Sequence, residues 1–154
     1  MCGTVHPYAM VLTPGREHRS FPSVPETVAD VDTYLDTRLR EAGFPDEMMV
    51  DVAVSVSEVV NNAVIHGNGR DTSKTVQINL DIETDRIKIS VQDEGAGFDP
   101  DALPDPVAQD NLMREVGRGL FIVRAYMDEV HFQKMGDSGL RITLVKIVPD
   151  GLSG

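Results

Sequence analysis

The stretch SEVVNNAVIHG, residues 57–67, places polar side chains where a buried helix would carry only apolar ones. Glu58 and Asn62 are four residues apart, so on a helix both project from one face, one turn apart. His66 continues that row, where it suits a structural cation near a helix C-terminus. These polar residues could simply form a solvent-exposed face of the helix. The adjacent Asn61 and Asn62 argue against this, because both are poor helix formers. This helix alone leaves that alternative open. A carboxylate and an amide oxygen on one face predict a general base and a ligand for a hard cation.

A second polar motif, Asp93-Glu-Gly95-Ala-Gly97, follows directly on a predicted strand. The glycines let the backbone turn with positive φ and approach a ligand closely. The Asp93 carboxylate, at the end of the strand, is suited to accept a hydrogen bond from an exocyclic amine. An ordinary Asp-Gly loop explains the same residues, and the motif by itself does not decide between the two.

A third motif, Gly117-Arg118-Gly119-Leu120, precedes an apolar segment and predicts the opening of a helix. Free backbone N–H groups and the positive end of the helix dipole would then form a seat for phosphate. A flexible N-terminal cap with no ligand is the alternative interpretation of the same residues.

The elements that must position these motifs come in the order two helices, a hairpin, a third helix and a second hairpin. This order predicts an α+β fold, a two-layer α/β sandwich with helices on one face of a mainly antiparallel sheet. Residues 16–150 are expected to form a single domain, preceded by an arm at 1–15. Helices are predicted at 25–44, 45–67 and about 119–127, and strands in REHRSFPS, TVQINLDIE, RIKISVQDE, EVHFQKM and LRITLVKIV.

The acidic composition narrows the classes of partner. The chain of 154 residues has 25 Asp and Glu against 14 Lys and Arg, a net charge of −11, which argues against direct nucleic acid binding or an anionic membrane surface. No apolar run reaches the roughly 18 residues of a membrane span, and the N-terminus lacks the pattern of a signal peptide. The single cysteine, Cys2, forms no internal disulfide, so a cytoplasmic location is expected.

Together the three motifs resemble the nucleotide-binding boxes of the GHKL ATPase and kinase superfamily, whose domain is the Bergerat-type, histidine kinase-like ATPase fold. Glu58–Asn62 corresponds to the Asn box, Asp93–Gly97 to the first glycine box and Gly117–Leu120 to the second. The resemblance implies ATP and Mg²⁺ as cofactors. It assigns Glu58 as the catalytic base, Asn62 as the metal ligand and Asp93 as the adenine contact, with Gly95 and Gly97 shaping the base pocket and Gly117, Arg118, Gly119 and Leu120 near the phosphates.

SEVVNNAVIHG and YMDEV also resemble the bacterial anti-sigma factor serine/threonine kinases. This implies a homodimer that binds a sigma factor and phosphorylates a STAS-domain anti-sigma antagonist. The alternatives are the ATP-binding domain of a histidine kinase and a non-catalytic, ATP-gated binding module. Glu58 argues against a histidine kinase domain, because histidine kinases generally have Asn at that position. The complete set of boxes argues against a non-catalytic binding module. A gyrase-like ATPase ranks last because the chain is short for a transducer domain.

The sequence departs from this superfamily where a Gly-Thr pair usually enters the last strand. Here the pair is Gly139-Leu140, and the nearest hydroxyl belongs to Thr143, which becomes the candidate adenine contact on that side. Between the glycine boxes, residues 98–116 predict a short lid. Of the two arginines near it, Arg118 is the better candidate for a phosphate contact than Arg114.

Overall fold

A computed structural model describes residues 11–95, 111–136 and 138–149 of the chain, with the backbone alone for 111–116. Its strands are β1 (Gly15–Pro22), β2 (Thr75–Ile82), β3 (Arg86–Gln92), β4 (Glu129–Lys134) and β5 (Leu140–Ile147), and its helices are α1 (Thr27–Glu41), α2 (Asp46–Asn62), which continues as a π-helical turn at Ala63–Gly67, and α3 (Asn111–Tyr126).

The strands form one sheet in the order β1-β2-β3-β5-β4, and every neighbouring pair is antiparallel. Alternate residues of the central strands are buried, as in β2, where Val76, Ile78, Leu80 and Ile82 face the core. The three helices contribute to that same core, so they cover one face of the sheet. The predicted α+β sandwich is therefore confirmed, as is the tight connection between β2 and β3, which Glu83 N–H closes on the carbonyl of Arg86 at 2.8 Å.

Helix α1 forms where the sequence predicts it. Val31, Leu35 and Leu39 recur at the helical period and are all buried. Asp30 lies in the first turn, where a negative charge is favourable, and the backbone leaves the helix at Gly43 with a φ of +90°.

Helix α2 is the central helix of the core. Val52, Val56, Val59 and Val60 are at most 3% exposed, and burying a valine side chain fully contributes roughly 1.5–3 kcal/mol. By length and composition alone Asp46–Gly67 could cross a membrane, but 56% of its apolar 18-residue window is buried inside the domain. That burial is what a core helix requires.

The other face of the sheet is polar. Asn79 donates to Ser90 Oγ at 3.1 Å, and Arg141 donates to Gln92 Oε1 at 2.9 Å, so side chains of adjacent strands are hydrogen-bonded along it. Thr143 pairs with Ser90 in the register of β3 and β5, which places it on this polar face.

Helix α3 differs from the prediction, because it begins at Asn111 and not near Gly119. Glycine costs about 1 kcal/mol relative to alanine inside a helix, which is why Gly117 and Gly119 predict a boundary. In the structure Leu120 and Val123 are buried against the core, and this packing outweighs the poor propensity of the two glycines.

Candidate nucleotide-binding site

Glu58 and Asn62 lie on α2 where it faces Gly119 of α3. Glu58 is half-buried and Asn62 is 6% exposed. A Cβ atom placed on Gly119 would lie 2.9 Å from Glu58 Oε2 and 3.4 Å from Asn62 Nδ2. Gly119 therefore leaves room for the carboxylate and the amide that the Asn box supplies, and α2 presents both from one face.

The amide of Asn62 has an unfinished hydrogen-bonding pattern. Its Nδ2 atom is buried and has no partner among the described residues. An unsatisfied buried donor typically costs about 1–3 kcal/mol, so its presence in a core helix is unfavourable for stability alone. A side chain with this free capacity, next to a carboxylate, is suited to a ligand.

The same residues fit a magnesium ion only in part. Among the described residues, no group of three or more His, Cys, Asp or Glu side chains could hold a metal by itself. Mg²⁺ commonly takes one or two protein oxygens and completes its coordination with phosphate and water. The amide oxygen of Asn62 beside Glu58 matches that type of donor set, with nucleotide phosphates as the remaining ligands.

The π-helical turn after α2 reshapes the backbone at the edge of the site. Asn68 N–H donates to Ala63 O at 2.7 Å, a bond to the fifth residue before it and not the fourth. Such wide turns are frequent at functional sites. Here the turn places Gly67 directly against the side chain of Asp93, which comes from the end of β3.

Asp93 is only 5% exposed, and its two oxygens have different roles. Oδ1 accepts the N–H groups of Gly95 at 3.1 Å and of Leu140 at 3.2 Å. Oδ2 has no hydrogen bond within the described part of the chain, and a Cβ on Gly67 would lie 2.1 Å from it. Burial raises the pKa of Asp93, and the two backbone hydrogen bonds oppose that rise. One carboxylate oxygen is thus fixed by the protein, and the other is available to a donor.

Three glycines enclose Asp93, and none has space for a side chain. Besides Gly67, a Cβ on Gly95 would lie 1.3 Å from Gly67 O, and a Cβ on Gly139 would lie 2.6 Å from Asp93 O. Gly139 also has a φ of +96°, which disfavours other residues. Sequence reasoning treated Gly67 as a helix stop and Gly139 as half of a substituted pair. The proximity of Gly67 to the Asn box was the available signal for its role.

A narrow cleft of about 10 Å³ lies between the two parts of the site. Its lining consists of two polar side chains among apolar ones: Asn62, Asp93, Val59, Ala63, Val91, Leu140 and Ile142. Ligand pockets typically have about 300–1,000 Å³, so this cleft supplies an apolar wall with two polar groups and does not by itself enclose a base.

The structure does not bring every predicted residue to this cleft. Thr143 lies on the polar face of the sheet, because side chains of a strand alternate and Ile142 and Leu144 face the core. The proposed adenine contact of Thr143 is therefore wrong. On that side of Asp93 the contact comes from the backbone N–H of Leu140, which donates a hydrogen bond to Asp93 Oδ1.

The prediction that Gly117–Leu120 opens a helix is also wrong. Helix α3 begins at Asn111, and only the N–H groups of its first turn lack intrahelical partners, so those of Gly117–Leu120 lie in the interior of the helix. Among the described residues nothing lies within 4 Å of a Cβ built on Gly117, Arg118 is exposed and Leu120 is 4% exposed. Gly97 and residues 98–110 of the predicted lid lie outside the described residues.

This combination of fold and site defines the class of ATP-binding domains in which a helix bearing Glu and Asn faces a strand-end Asp. The profile of the histidine kinase-like ATPase domain matches residues 21–146. The serine-protein kinase RsbW of Staphylococcus epidermidis is 34% identical over 135 residues, covering 82% of this chain and 83% of that protein. RsbW of Bacillus subtilis strain 168 is 30% identical over 131 residues, covering 81% of each. The chain belongs to the histidine kinase-like ATPase family, in its branch of RsbW-type anti-sigma serine-protein kinases.

A solved structure supports the fold independently. The RsbU and RsbW domains of Rv1364c from Mycobacterium tuberculosis superpose with a TM-score of 0.64 at 18% identity, covering 89% of this chain and 33% of that one. At this identity the likeness concerns the fold alone. The resemblance to GHKL proteins and to anti-sigma kinases that the motifs indicate is confirmed by the family membership.

Proposed function

We propose that this protein is a cytoplasmic, ATP- and Mg²⁺-dependent serine/threonine kinase that binds a sigma factor and phosphorylates a STAS-domain anti-sigma antagonist, acting as a homodimer. The family supports the kinase class, and the names of the relatives support serine as the acceptor. The observation that carries the proposal is the half-buried carboxylate of Glu58 beside the unpartnered buried amide of Asn62, in the space that Gly119 leaves open.

The roles follow from the chemistry of each group. Asp93 Oδ2 accepts a hydrogen bond from the 6-amine of adenine, in the pocket that Gly95 borders. The Asn62 amide oxygen would hold the magnesium ion, which when bound would neutralise phosphates that a protein of net charge −11 would otherwise repel. The exposed guanidinium of Arg118 adds positive charge beside Gly119. Glu58 orients the hydroxyl of the incoming serine and accepts its proton as the serine oxygen bonds to the γ-phosphorus and the bond from that phosphorus to the β–γ bridging oxygen breaks, which releases ADP.

The experiment compares two substitutions on the same helix face. Glu58→Gln keeps the size of the side chain but removes the base, so Mg·ATP should still bind, and phosphorylation of a STAS-domain protein should fall about 10²- to 10⁴-fold. Because phosphoryl transfer depends mainly on positioning and charge stabilisation, the lower end is expected. Asn62→Ala should weaken Mg²⁺-dependent ATP binding and phosphorylation together. The readouts are an ATP-binding isotherm and a single-turnover phosphorylation assay for each variant.

Asn61→Ala is the matched control, because Asn61 is an amide at the adjacent position but is exposed. It should leave both readouts at the wild-type level. Transfer at the wild-type rate in Glu58→Gln would refute the base assignment, and equal effects of Asn61→Ala and Asn62→Ala would refute the ligand assignment.

The partners are tested separately. A sigma factor or a STAS-domain protein should co-purify with this chain from its own cytoplasm in the presence of Mg·ATP. Recovery of a phosphorelay receiver, with no sigma factor, would instead favour the histidine kinase alternative.

A further inference from the structure

Asn68, the residue after the π-helical turn, connects three separate segments through one side chain. It is 2% exposed, and its Nδ2 donates to Ser23 Oγ at 2.9 Å and to Thr75 O at 3.0 Å. Its Oδ1 accepts the backbone N–H of Glu94 at 2.8 Å. Both N–H bonds of the amide are used, so unlike Asn62 this residue has no donor left for a ligand.

The hydrogen bond from the Glu94 N–H to Asn68 Oδ1 holds the backbone next to Asp93. Glu94 lies between Asp93 and Gly95, whose N–H group holds Asp93 Oδ1. Fixing the Glu94 amide therefore fixes the short segment from which the Asp93 carboxylate projects. The π-helical turn contributes as well, since the bond of Asn68 N–H to Ala63 O sets the position of Asn68.

The side chain of Glu94 holds the same segment from the other side. Its Oε2 atom accepts the Thr75 hydroxyl at 2.8 Å and also the Thr75 backbone N–H. Thr75 begins β2, and its carbonyl is one of the acceptors of Asn68. Asn68, Thr75 and Glu94 thus form a closed set of hydrogen bonds, which we call the Asn68 clamp.

We propose that Asn68 is a positioning residue for base recognition: through the Asn68 clamp it directs Asp93 Oδ2 toward the 6-amine of adenine and so sets the preference of the site for 6-aminopurine nucleotides. This inference rests on the proposed function, in particular on the adenine contact of Asp93. A hydrogen bond to a carboxylate weakens steeply with misalignment, so a shift of the 93–95 segment would remove the selectivity before it removed the pocket.

The test compares Mg·ATP with purine riboside 5′-triphosphate, which is ATP without the 6-amino group. In the wild type the affinity for ATP should exceed that for the deamino nucleotide by on the order of tenfold to a hundredfold, the worth of a hydrogen bond to a charged group. In Asn68→Ala the ratio should fall toward one, because ATP loses affinity and the deamino nucleotide does not. Titration calorimetry with both nucleotides measures the ratio directly.

Three further variants separate positioning from a general loss of stability. Ser23→Ala removes a partner of Asn68 but leaves the bond to Glu94, so the ratio should be kept. Asn68→Asp retains an acceptor for the Glu94 N–H but turns an acceptor toward the Thr75 carbonyl in place of the donor, so it should restore only part of the ratio. Glu94→Ala opens the clamp from the exposed side and should lower the ratio partly. If Asn68→Ala does not fold, Glu94→Ala tests the Asn68 clamp through its other half, since Glu94 is exposed and its removal leaves the core and the Asn68 bond to the residue 94 N–H intact; a full wild-type ratio in that variant would then overturn the proposal.

The outcomes distinguish the two hypotheses. A wild-type ratio near one would overturn the adenine contact of Asp93 and, with it, the role of Asn68. A high wild-type ratio that survives in both Asn68→Ala and Glu94→Ala would overturn the role of Asn68 alone. Equal weakening of both nucleotides in Asn68→Ala would also overturn it, because a merely structural residue would produce that result.

Discussion

Two polar clusters of this domain differ in how completely their hydrogen bonds are satisfied. The first, which we call the edge cluster, joins β1 to α1. Tyr34 donates to Glu17 Oε1 at 2.8 Å, Arg38 binds the other oxygen of Glu17, and the Arg19 guanidinium lies 4.9 Å from the centre of the Tyr34 ring. The hydrogen bond from Arg38 lowers the pKa of Glu17, while burial and the bond to Glu17 raise the pKa of Tyr34 to about 12.

The second cluster consists of Glu58, Asn62 and Asp93. There a buried amide nitrogen has no partner among the described residues, one carboxylate oxygen is unbonded, and burial raises the pKa of Asp93. The edge cluster borders the larger concavity, a groove of about 740 Å³, yet its charges neutralise one another. The comparison shows that unfinished hydrogen bonding, and not groove size or number of charges, distinguishes the candidate site from a structural cluster.

Among substitutions in the two clusters, Asp93→Asn is expected to have the largest effect on ATP binding. Asn keeps an acceptor for the N–H groups of Gly95 and Leu140 but removes the charge that faces the adenine amine. The affinity for ATP should fall roughly 10- to 100-fold, the range for a hydrogen bond to a charged group. Calorimetry of Mg·ATP binding measures this, and equal affinities in the two proteins would contradict the contact.

The same variant has a pH signature. Because the folded pKa of Asp93 is raised, its contribution to stability is present below the unfolded pKa and is lost as the pH rises through the folded value. The unfolding free energy of Asp93→Asn, relative to wild type, should therefore increase from pH 4 toward neutral pH. Urea titrations across that range give the sign, and a relative stability that decreases with pH would be inconsistent with a desolvated carboxylate.

An effect of comparable size, on phosphoryl transfer and not on ATP affinity, is expected from Gly119→Ala, which fills the space between α3 and the Asn box. The added Cβ would lie 2.9 Å from Glu58 Oε2, so the carboxylate must move. Phosphoryl transfer should fall about tenfold to a hundredfold, since small misplacements of catalytic groups have effects of this size. Alanine also favours the helix by about 1 kcal/mol, so the protein should not lose stability in proportion.

Gly117→Ala is the matched control for that change, because it lies on the same helix and no described residue comes within 4 Å of its added Cβ. It should gain helix stability and retain the rate of transfer. If both alanine variants transfer phosphate at the wild-type rate, the space beside Gly119 has no role in catalysis.

The smallest effect is expected in the edge cluster, from Tyr34→Phe. Loss of the bond to Glu17 should lower the unfolding free energy by about 1 kcal/mol and leave ATP affinity unchanged. Because the folded pKa of Glu17 is lowered, the stability it contributes is present above the unfolded pKa and is lost as the pH falls through the folded value. The difference between Tyr34→Phe and wild type should shrink in acid, opposite in direction to Asp93→Asn, and denaturation at two pH values tests this.

The sequence predicted the elements whose apolar period is strong and the residues that face one another along a single helix. Val31, Leu35 and Leu39 mark α1 without help from tertiary structure, and the spacing of Glu58 and Asn62 requires their shared face. Family resemblance was needed to connect this helix with Asp93.

What the sequence could not predict depended on packing between distant segments. The start of α3 required knowledge that burial of Leu120 and Val123 would outweigh two helical glycines. The exclusion of Thr143 required the register of β5, since a shift of one residue would reverse its face. Asn68 resembled a turn residue, because its partners at positions 23, 75 and 94 come from three other parts of the chain.

Helix α2 carries Glu58 and Asn62 on the same backbone that buries Val52, Val56 and Val59. The distance between the two polar groups is therefore as resistant to thermal opening as the core itself, because freeing either one would require the most protected segment to unfold. Heating should abolish their chemistry in a single cooperative step together with the fold. Substitutions of the buried valines of α2 will then alter phosphoryl transfer by displacing the helix that carries Glu58 and Asn62, and not by changing the solvent-facing surface.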